Sequence, residues 1–283
     1  MAFKATILAD SISSRGHRVT TMEIVFPRIV LSEFNTHRML SRNTASSRAI
    51  PVDKQIERVM SEPFIPHYWG AREAGMQATS EIDEADIEQA KKEWLAARDD
   101  AVRHAKALLA LNVHKQLTNR IFEPFMWHTA VVSGTEWSNF FSLRNNKEAQ
   151  PEIHAIAELM QAACESSDPT PLGPDDWHLP LIQPEEYDGM FEHTEEARKI
   201  AAARCARVSY LTHDGRRDQA ADLALYERLT SSGHMSPLEH VARPLSDAEF
   251  AENEWRGNFH GWMQLRKLIP YEHDYSLVEE MDD

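Results

Sequence analysis

The chain has 283 residues, 42% of them apolar, which suits one large domain or two small ones with a proper core. A formal net charge of −15 argues against a general nucleic-acid binder, which needs a broad basic surface, although a few local arginines can still hold a small phosphorylated ligand. No run of about twenty apolar residues is present, Met1-Ala-Phe-Lys does not open a signal-peptide stretch, and the widely separated Cys164 and Cys205 read as reduced thiols, so a cytoplasmic protein is expected, with no membrane span and no zinc cluster.

Residues 3–9 and 18–26 are predicted strands, the second rich in β-branched residues and ended by Pro27, with Arg15-Gly16-His17 as the turn between them. Pro27 then opens a predicted helix with Ile29, Val30, Leu31 and Phe34 as its apolar face. It runs into His37–Arg48, His-Arg-Met-Leu-Ser-Arg-Asn-Thr-Ala-Ser-Ser-Arg, where only Met39, Leu40 and Ala45 are apolar. That stretch reads either as a solvated loop or as an anion site, since arginine forks and serine hydroxyls both bond phosphate well. Residues 51–79, rich in proline, glycine and aromatics, read as an ordered loop, a surface connection packed by its own aromatics in preference to a lid.

Residues 80–120 are a predicted long helix, opened by a Ser80/Asp83 capping pair and buried along Trp94, Ala97, Ala101, Ala105, Leu108 and Leu109. Its His104 and His114 are spaced wrongly for a metal pair and are expected to be exposed or capping. Arg120 reads by itself as a charge partner at a helix C-terminus. A helix through Ile153, Ile156, Ala157, Met160 and Cys164 places Cys164 in the core. The Pro-rich stretch 166–193 is expected to be a linker, with 168–184 running outside the core. Thr194 caps a helix ending at Ala206, and a helix over 217–232 closes at Gly233. Ser236-Pro237-Leu-Glu239 reads as a capped helix start between His234 and His240, with no metal site expected. Asn258–Lys267, in which Trp262, Gln264, Arg266 and Lys267 alternate, reads equally as a nucleotide or flavin edge and as an amphipathic helix with a basic face. The acidic tail from Glu279 is expected to fray.

His37-Arg38-x-x-Ser41-x-Asn43-x-x-Ser46-x-Arg48 resembles the signature of the flavin-dependent thymidylate synthases, the ThyX family. Asn139-Phe-x-x-Leu-Arg144, followed by Ala149-Gln150-x-Glu152-Ile153, resembles the second signature. Ala206-Arg207-Val208-Ser209-Tyr210 and Gly233-His234-x-Ser236-Pro237-Leu-Glu239-His240 resemble two motifs that lie near the family's N-terminus. The order here is thus that of a circular permutation, with 166–193 at the junction. The resemblance implies an α+β fold, an antiparallel sheet packed with long helices in permuted topology. It implies a single catalytic domain built from 1–165 and 194–283, in a homotetramer whose sites are shared among subunits. It assigns His37, Arg38, Met39, Asn43, Asn139, Ser209, His234, Ser236 and Glu239 to FAD. It assigns Glu33, Ser46, Ser47, Arg48, Arg120 and Arg144 to a pyrimidine deoxynucleotide, with Arg144 catalytic. Methylenetetrahydrofolate and NADPH are the implied co-substrates, and the lack of an activated cysteine suits a reaction whose hydride comes from a cofactor.

The chain also departs from the pattern. Thr36 replaces the first signature arginine, Glu33 a glutamine, Thr44 a glutamate, Ser47 a glycine and Ala49 a tyrosine. A carboxylate at Glu33 only accepts hydrogen bonds, which suits an amino group such as that of cytosine. Three readings follow: methylation of dUMP; the same scaffold acting on dCMP or another pyrimidine nucleotide, or stopping at hydroxymethyl; and a non-catalytic flavin- or nucleotide-binding protein. The retained Arg48, Arg120, Arg144 and Asn139 argue against the third, and the expectation leans to dUMP.

Overall fold

The computed structural model describes residues 2–186, 194–209 and 218–274; Tyr210 and the acidic tail lie outside them. Strands β1 (Lys4–Ser13) and β2 (Arg18–Pro27) pair antiparallel, with Gly16 in the left-handed turn position at φ 84°. Pro27 ends β2 in extended conformation instead of opening a helix. After the 3-10 turn Arg28–Val30 comes a helix of only five residues, α1 (Leu31–Asn35). It stops where Thr36 Oγ1 turns back to donate to the Glu33 carbonyl, a local bond that competes with further helix. β3 (Ser41–Thr44) follows. The stretch predicted as a loop contains α2 (Val52–Ser61), whose buried Val52, Ile56 and Val59 recur at helical spacing.

The long helix is α3 (Glu84–Ala110), shorter than predicted at both ends. Ser80 does not cap it, because its hydroxyl donates to Glu73, and Asn112 turns the chain at φ 60° just after it. His114 does cap, accepting from the Gln116 amide at the start of α4 (Lys115–Thr118). Then come β4 (Trp127–Gly134), α5 (Ser138–Arg144), α6 (Pro151–Ser166), β5 (Thr170–Leu172), α7 (Glu195–Ala206) and α8 (Gln219–Ser231). The remainder is β6 (Ala242–Pro244), α9 (Asp247–Glu252), β7 (Trp255–Arg256), β8 (Phe259–His260) and β9 (Trp262–Gln264). The predicted helix start at Ser236 is a single 3-10 turn, Ser236–Glu239, without a side-chain cap. Asn258–Lys267 is not a helix either: Gly257 and Gly261, at φ 69° and 75°, set tight turns around β8 and β9.

The main sheet runs β3-β4-β2-β1-β5. It is antiparallel over four strands, as expected, and β5 adds a short parallel edge. On one face Met22, Ile24, Phe26, Ala130 and Val132 pack against Phe140 of α5 and Ile153, Ile156, Ala157 and Met160 of α6. Each of these side chains other than the alanines contributes about 1.5–3 kcal/mol on burial. The other face receives the later chain, where Val131 meets Cys205 and Val208. The stretch predicted to run outside the core therefore does not do so throughout. It supplies β5 and buries His178, Leu179 and Ile182.

His178 begins a buried hydrogen-bond chain. Its Nδ1 meets Ser11 Oγ at 2.9 Å and its Nε2 meets Thr21 Oγ1 at 2.7 Å. Thr21 Oγ1 meets Ser133 Oγ at 2.5 Å, and Ser133 Oγ meets His240 Nδ1 at 2.8 Å. Burial pushes both imidazoles down to about 3, so they are neutral in the folded protein. In the unfolded chain they titrate near 6.5. Their contribution is whole above that value and is lost as pH falls toward the folded value, by about 1.4 kcal/mol per pH unit per histidine. Thermal or urea melts between about pH 7 and about pH 5 should show this loss, with a slope shallower by about one proton in His178→Gln. An unchanged slope in that variant would mean that His178 takes up its proton without unfolding.

Candidate active site

β3 is an edge strand whose register on β4, Ser41 opposite Ser133 and Thr44 opposite Ala130, fixes both flanks of the first signature. Before β3, the two signatures meet. Arg144, the last residue of α5, donates from Nε to His37 Nε2 at 2.8 Å and from Nη2 to Thr36 Oγ1 at 3.3 Å. His37 is buried against the Phe140 ring, 4.9 Å between centroids. Burial, then Arg144, then Arg42 hold its pKa below the ordinary histidine value. Its Nε2 accepts from Arg144, so the hydrogen of the neutral ring sits on Nδ1. Arg42 closes the turn, donating to the His37 and Leu40 carbonyls at 2.9 and 3.1 Å.

After β3, a second cluster forms around Glu123. Its Oε1 accepts from Ser47 Oγ at 2.7 Å, pairs with Arg28 at 3.0 Å and receives Arg120 more loosely at 3.4 Å. Arg28 Nη1 also donates to Nδ1 of the buried His128, 3.0 Å away, whose pKa burial pushes down to about 3. Ser46 and Ser47 line a pocket with Gln55, Arg58, Met126 and His128. The Asn119 carboxamide holds the loop by donating to the Ser47 and Ile50 carbonyls at 2.7 and 2.9 Å.

The third cluster lies where the C-terminal segment reaches β3. Glu239 is not a cap; it accepts from Arg266 at 2.6 Å. Ser41 is buried between Asn258 and Gln264. Asn43 Nδ2 donates to the Cys205 carbonyl at 3.4 Å. The turn Arg207–Ser209 packs on β3 and β4, and the turn Ser236–Glu239 packs on β3. The Ser209 side chain lies outside the described residues.

The remaining predicted residues are on the surface. Arg38, Met39, Arg48, Asn139, His234 and Ser236 are exposed. The side chains of Arg38, Arg48 and Asn139 make no hydrogen bond or ion pair with any described residue. Glu33 is half-buried and accepts from Ser32 Oγ at 2.8 Å. One chain thus gathers the predicted residues into three groups along one sheet edge and not into one cleft. Sequence reasoning missed Arg28, Arg42, Glu123 and His128, and left Asn258 and Gln264 without a role. For the last two, Gly257 and Gly261 marked tight turns nearby but not the contacts that the side chains make.

The sequence model of the thymidylate synthase complementing protein family matches residues 11–170. The chain belongs to that family. Membership makes it an enzyme of pyrimidine-nucleotide methyl transfer. The family span holds His37–Arg48, Arg120 and Arg144, and ends within β5. Ninety-seven solved chains also match. Among them are two structures of a UMP/dUMP methylase, PolB, from Streptomyces cacaoi, bound with 5-Br UMP and with 5-Br dUMP. Each is 16% identical with a TM-score of 0.49, covering 58% of this chain and 88% and 90% of its own. No curated protein matches.

Neither cysteine of this family member is an activated nucleophile. Burial pushes the Cys164 thiol up to about 11 and the Cys205 thiol further still, and a thiol so raised holds almost no thiolate at neutral pH. The Glu123 cluster gives a direct test of what supports the loop from Ser46 to Ile50. Glu123→Ala leaves the largely buried Arg28 without its carboxylate, which should cost about 3 kcal/mol in urea denaturation. Arg48→Ala, at an exposed site, should stay within about 0.5 kcal/mol of the parent. Equal effects would mean that Glu123 does not organise the loop.

Proposed function

We propose that the enzyme transfers a one-carbon unit from methylenetetrahydrofolate to C5 of dUMP, using FAD and NADPH, in a permuted domain that works as a homotetramer in the cytoplasm. The observation that carries this reading is the Arg144–His37 bond, which joins the residue expected on the pyrimidine to one expected on the flavin. A guanidinium has five N–H donors, and within the described residues Arg144 commits one to His37 and one to Thr36. The other three are available for a pyrimidine carbonyl. There the positive charge would stabilise enolate-like charge developing on the ring. The bond to His37 orients the guanidinium beforehand, which spares that ordering on binding.

The donor set fits FAD. His37 offers an N–H, Arg38 a charge for phosphate, and Asn139, His234 and Ser236 neutral polar groups, four of these five open to solvent. Bound flavin would supply the hydride for which the chain has no group of its own. The exposure of those groups supports a site completed by neighbouring subunits. The packing of Arg207–Ser209 and Ser236–Glu239 on β3 supports the permuted reading, because motifs distant in sequence flank the first signature.

A second reading rests on Glu33 and Thr36. Where the signature has an arginine the chain has a hydroxyl, and where it has a glutamine it has a carboxylate. If Glu33 faces the base, the substrate is dCMP or another amino-bearing pyrimidine, with methyl or hydroxymethyl product. An unmatched carboxylate against a carbonyl costs about 1–3 kcal/mol, roughly a ten- to hundred-fold preference. Parallel assays of dUMP and dCMP with product mass decide between them. Arg144→Ala should abolish turnover while FAD stays bound. Activity on dUMP alone, in both the parent and Glu33→Gln, is the expected result. A dCMP preference that Glu33→Gln moves toward dUMP would establish the second reading, and turnover of neither would refute both.

A further inference from the structure

Two segments carry candidate flavin contacts: Met39–Asn43, which runs from a turn into β3, and the turn Ser236–Glu239. They are nearly two hundred residues apart in sequence, and one side chain touches both. Gln264, buried at the end of β9, donates from Nε2 to Ser41 Oγ at 3.3 Å and to the Glu239 carbonyl at 3.2 Å. The same nitrogen lies 3.1 Å from Asn258 Oδ1. Asn258 in turn donates to the Met39 carbonyl and to Ser41 Oγ, each at 3.0 Å.

The orientation of this carboxamide is built in. A Cβ at Gly257 would lie 2.9 Å from Gln264 Oε1, so glycine makes the room that the amide oxygen occupies and leaves the NH₂ group facing its three acceptors. Main-chain pairing adds to the hold: Gln264 sits opposite Ala242, and the Leu265 amide donates to the Val241 carbonyl at 2.7 Å. Arg266, two residues on, pins the Glu239 carboxylate at 2.6 Å and is itself fixed by Glu272 at 2.7 Å. Gln264, Asn258, Gly257, Arg266 and Glu239 all lie beyond the span that the family model matches, while Met39 and Ser41 lie within it.

We propose that Gln264, braced by Asn258 and Gly257, is a positioning residue for the flavin surface, setting the separation of the Met39–Asn43 segment and the Ser236–Glu239 turn. The proposal rests on the flavin reading above. A ligand that bridges two segments binds weakly if it must order them first, because that conformational entropy is subtracted from its affinity. A carboxamide that already joins them removes that cost.

The test is FAD titration of the purified full chain, followed by flavin fluorescence, with apo-protein melting in parallel. Gln264→Met keeps length and loses every polar contact. It should weaken FAD binding by about tenfold or more, the scale of one or two buried hydrogen bonds. Leu265→Val removes one methylene from the adjacent core position and none of these contacts, and should hold FAD within about twofold of the parent. Asn258→Asp, half-buried and safer for folding, loses both donations and should weaken FAD in the same direction. Parent-like FAD affinity in Gln264→Met, or in Asn258→Asp should the first variant not fold, would overturn the proposal. So would an equal loss in Leu265→Val, which would make the effect one of general stability. Parent protein that takes up no FAD would instead overturn the flavin reading itself.

Discussion

The sheet is held to the later half of the chain by hydrogen bonds between neutral groups. Ser11, His178, Thr21, Ser133 and His240 form one line across β1, β2 and β4, starting from the Pro-rich connector and ending beside Glu239. A charge anywhere in that line would be buried without a counterion, at a cost of several kcal/mol, so the imidazoles must remain unprotonated. Because His240 follows Glu239 directly, the same line that seats the connector also seats the Ser236–Glu239 turn. Register then does the rest: β3 lies beside β4 with Ser41 opposite Ser133, so the first signature and the turn approach the same edge.

At that edge a further neutral imidazole, His37, holds Arg144. His37 can accept from Arg144 only while its Nε2 is unprotonated, and both Arg144 and Arg42 disfavour the charged ring. Arg144 is thus oriented by a neutral acceptor, with no carboxylate partner among the described residues. In the proposed reaction an ion pair there would neutralise part of the field that a developing oxyanion needs, whereas a neutral acceptor leaves it available. Thr36 is consistent with this arrangement. A hydroxyl there accepts a hydrogen bond from Arg144, where a second guanidinium would repel it.

Much of this was legible in the sequence, because the signatures are local. His37, Asn43, Ser46 and Arg48 fall in one short stretch, and α6 announced its buried face by helical periodicity. Thr194 and Gly233 marked helix ends through their own capping chemistry. The failures have a common cause. Pro27, Ser80 and Glu239 carry strong helix-start signals, yet each is claimed by a tertiary or non-helical partner: strand pairing, Glu73 and Arg266 respectively. The connector read as a linker because its prolines were visible, while the burial of His178, Leu179 and Ile182 depends on a sheet face built elsewhere. The roles of Gln264, Asn258, Arg28 and Glu123 are long-range hydrogen bonds, and no spacing rule reaches across such separations. Gly257 marked a turn but not the carboxamide it accommodates.

The central claim is that the pyrimidine lies at the junction of Arg144 and His37. A crystal structure of the protein grown with FAD and a 5-halogenated dUMP tests it most directly. The expected result places an Nη of Arg144 within hydrogen-bond distance of a ring carbonyl, with Nε still on His37. A pyrimidine bound elsewhere, with Arg144 still closed onto Thr36 and His37 and facing no ligand, would contradict it.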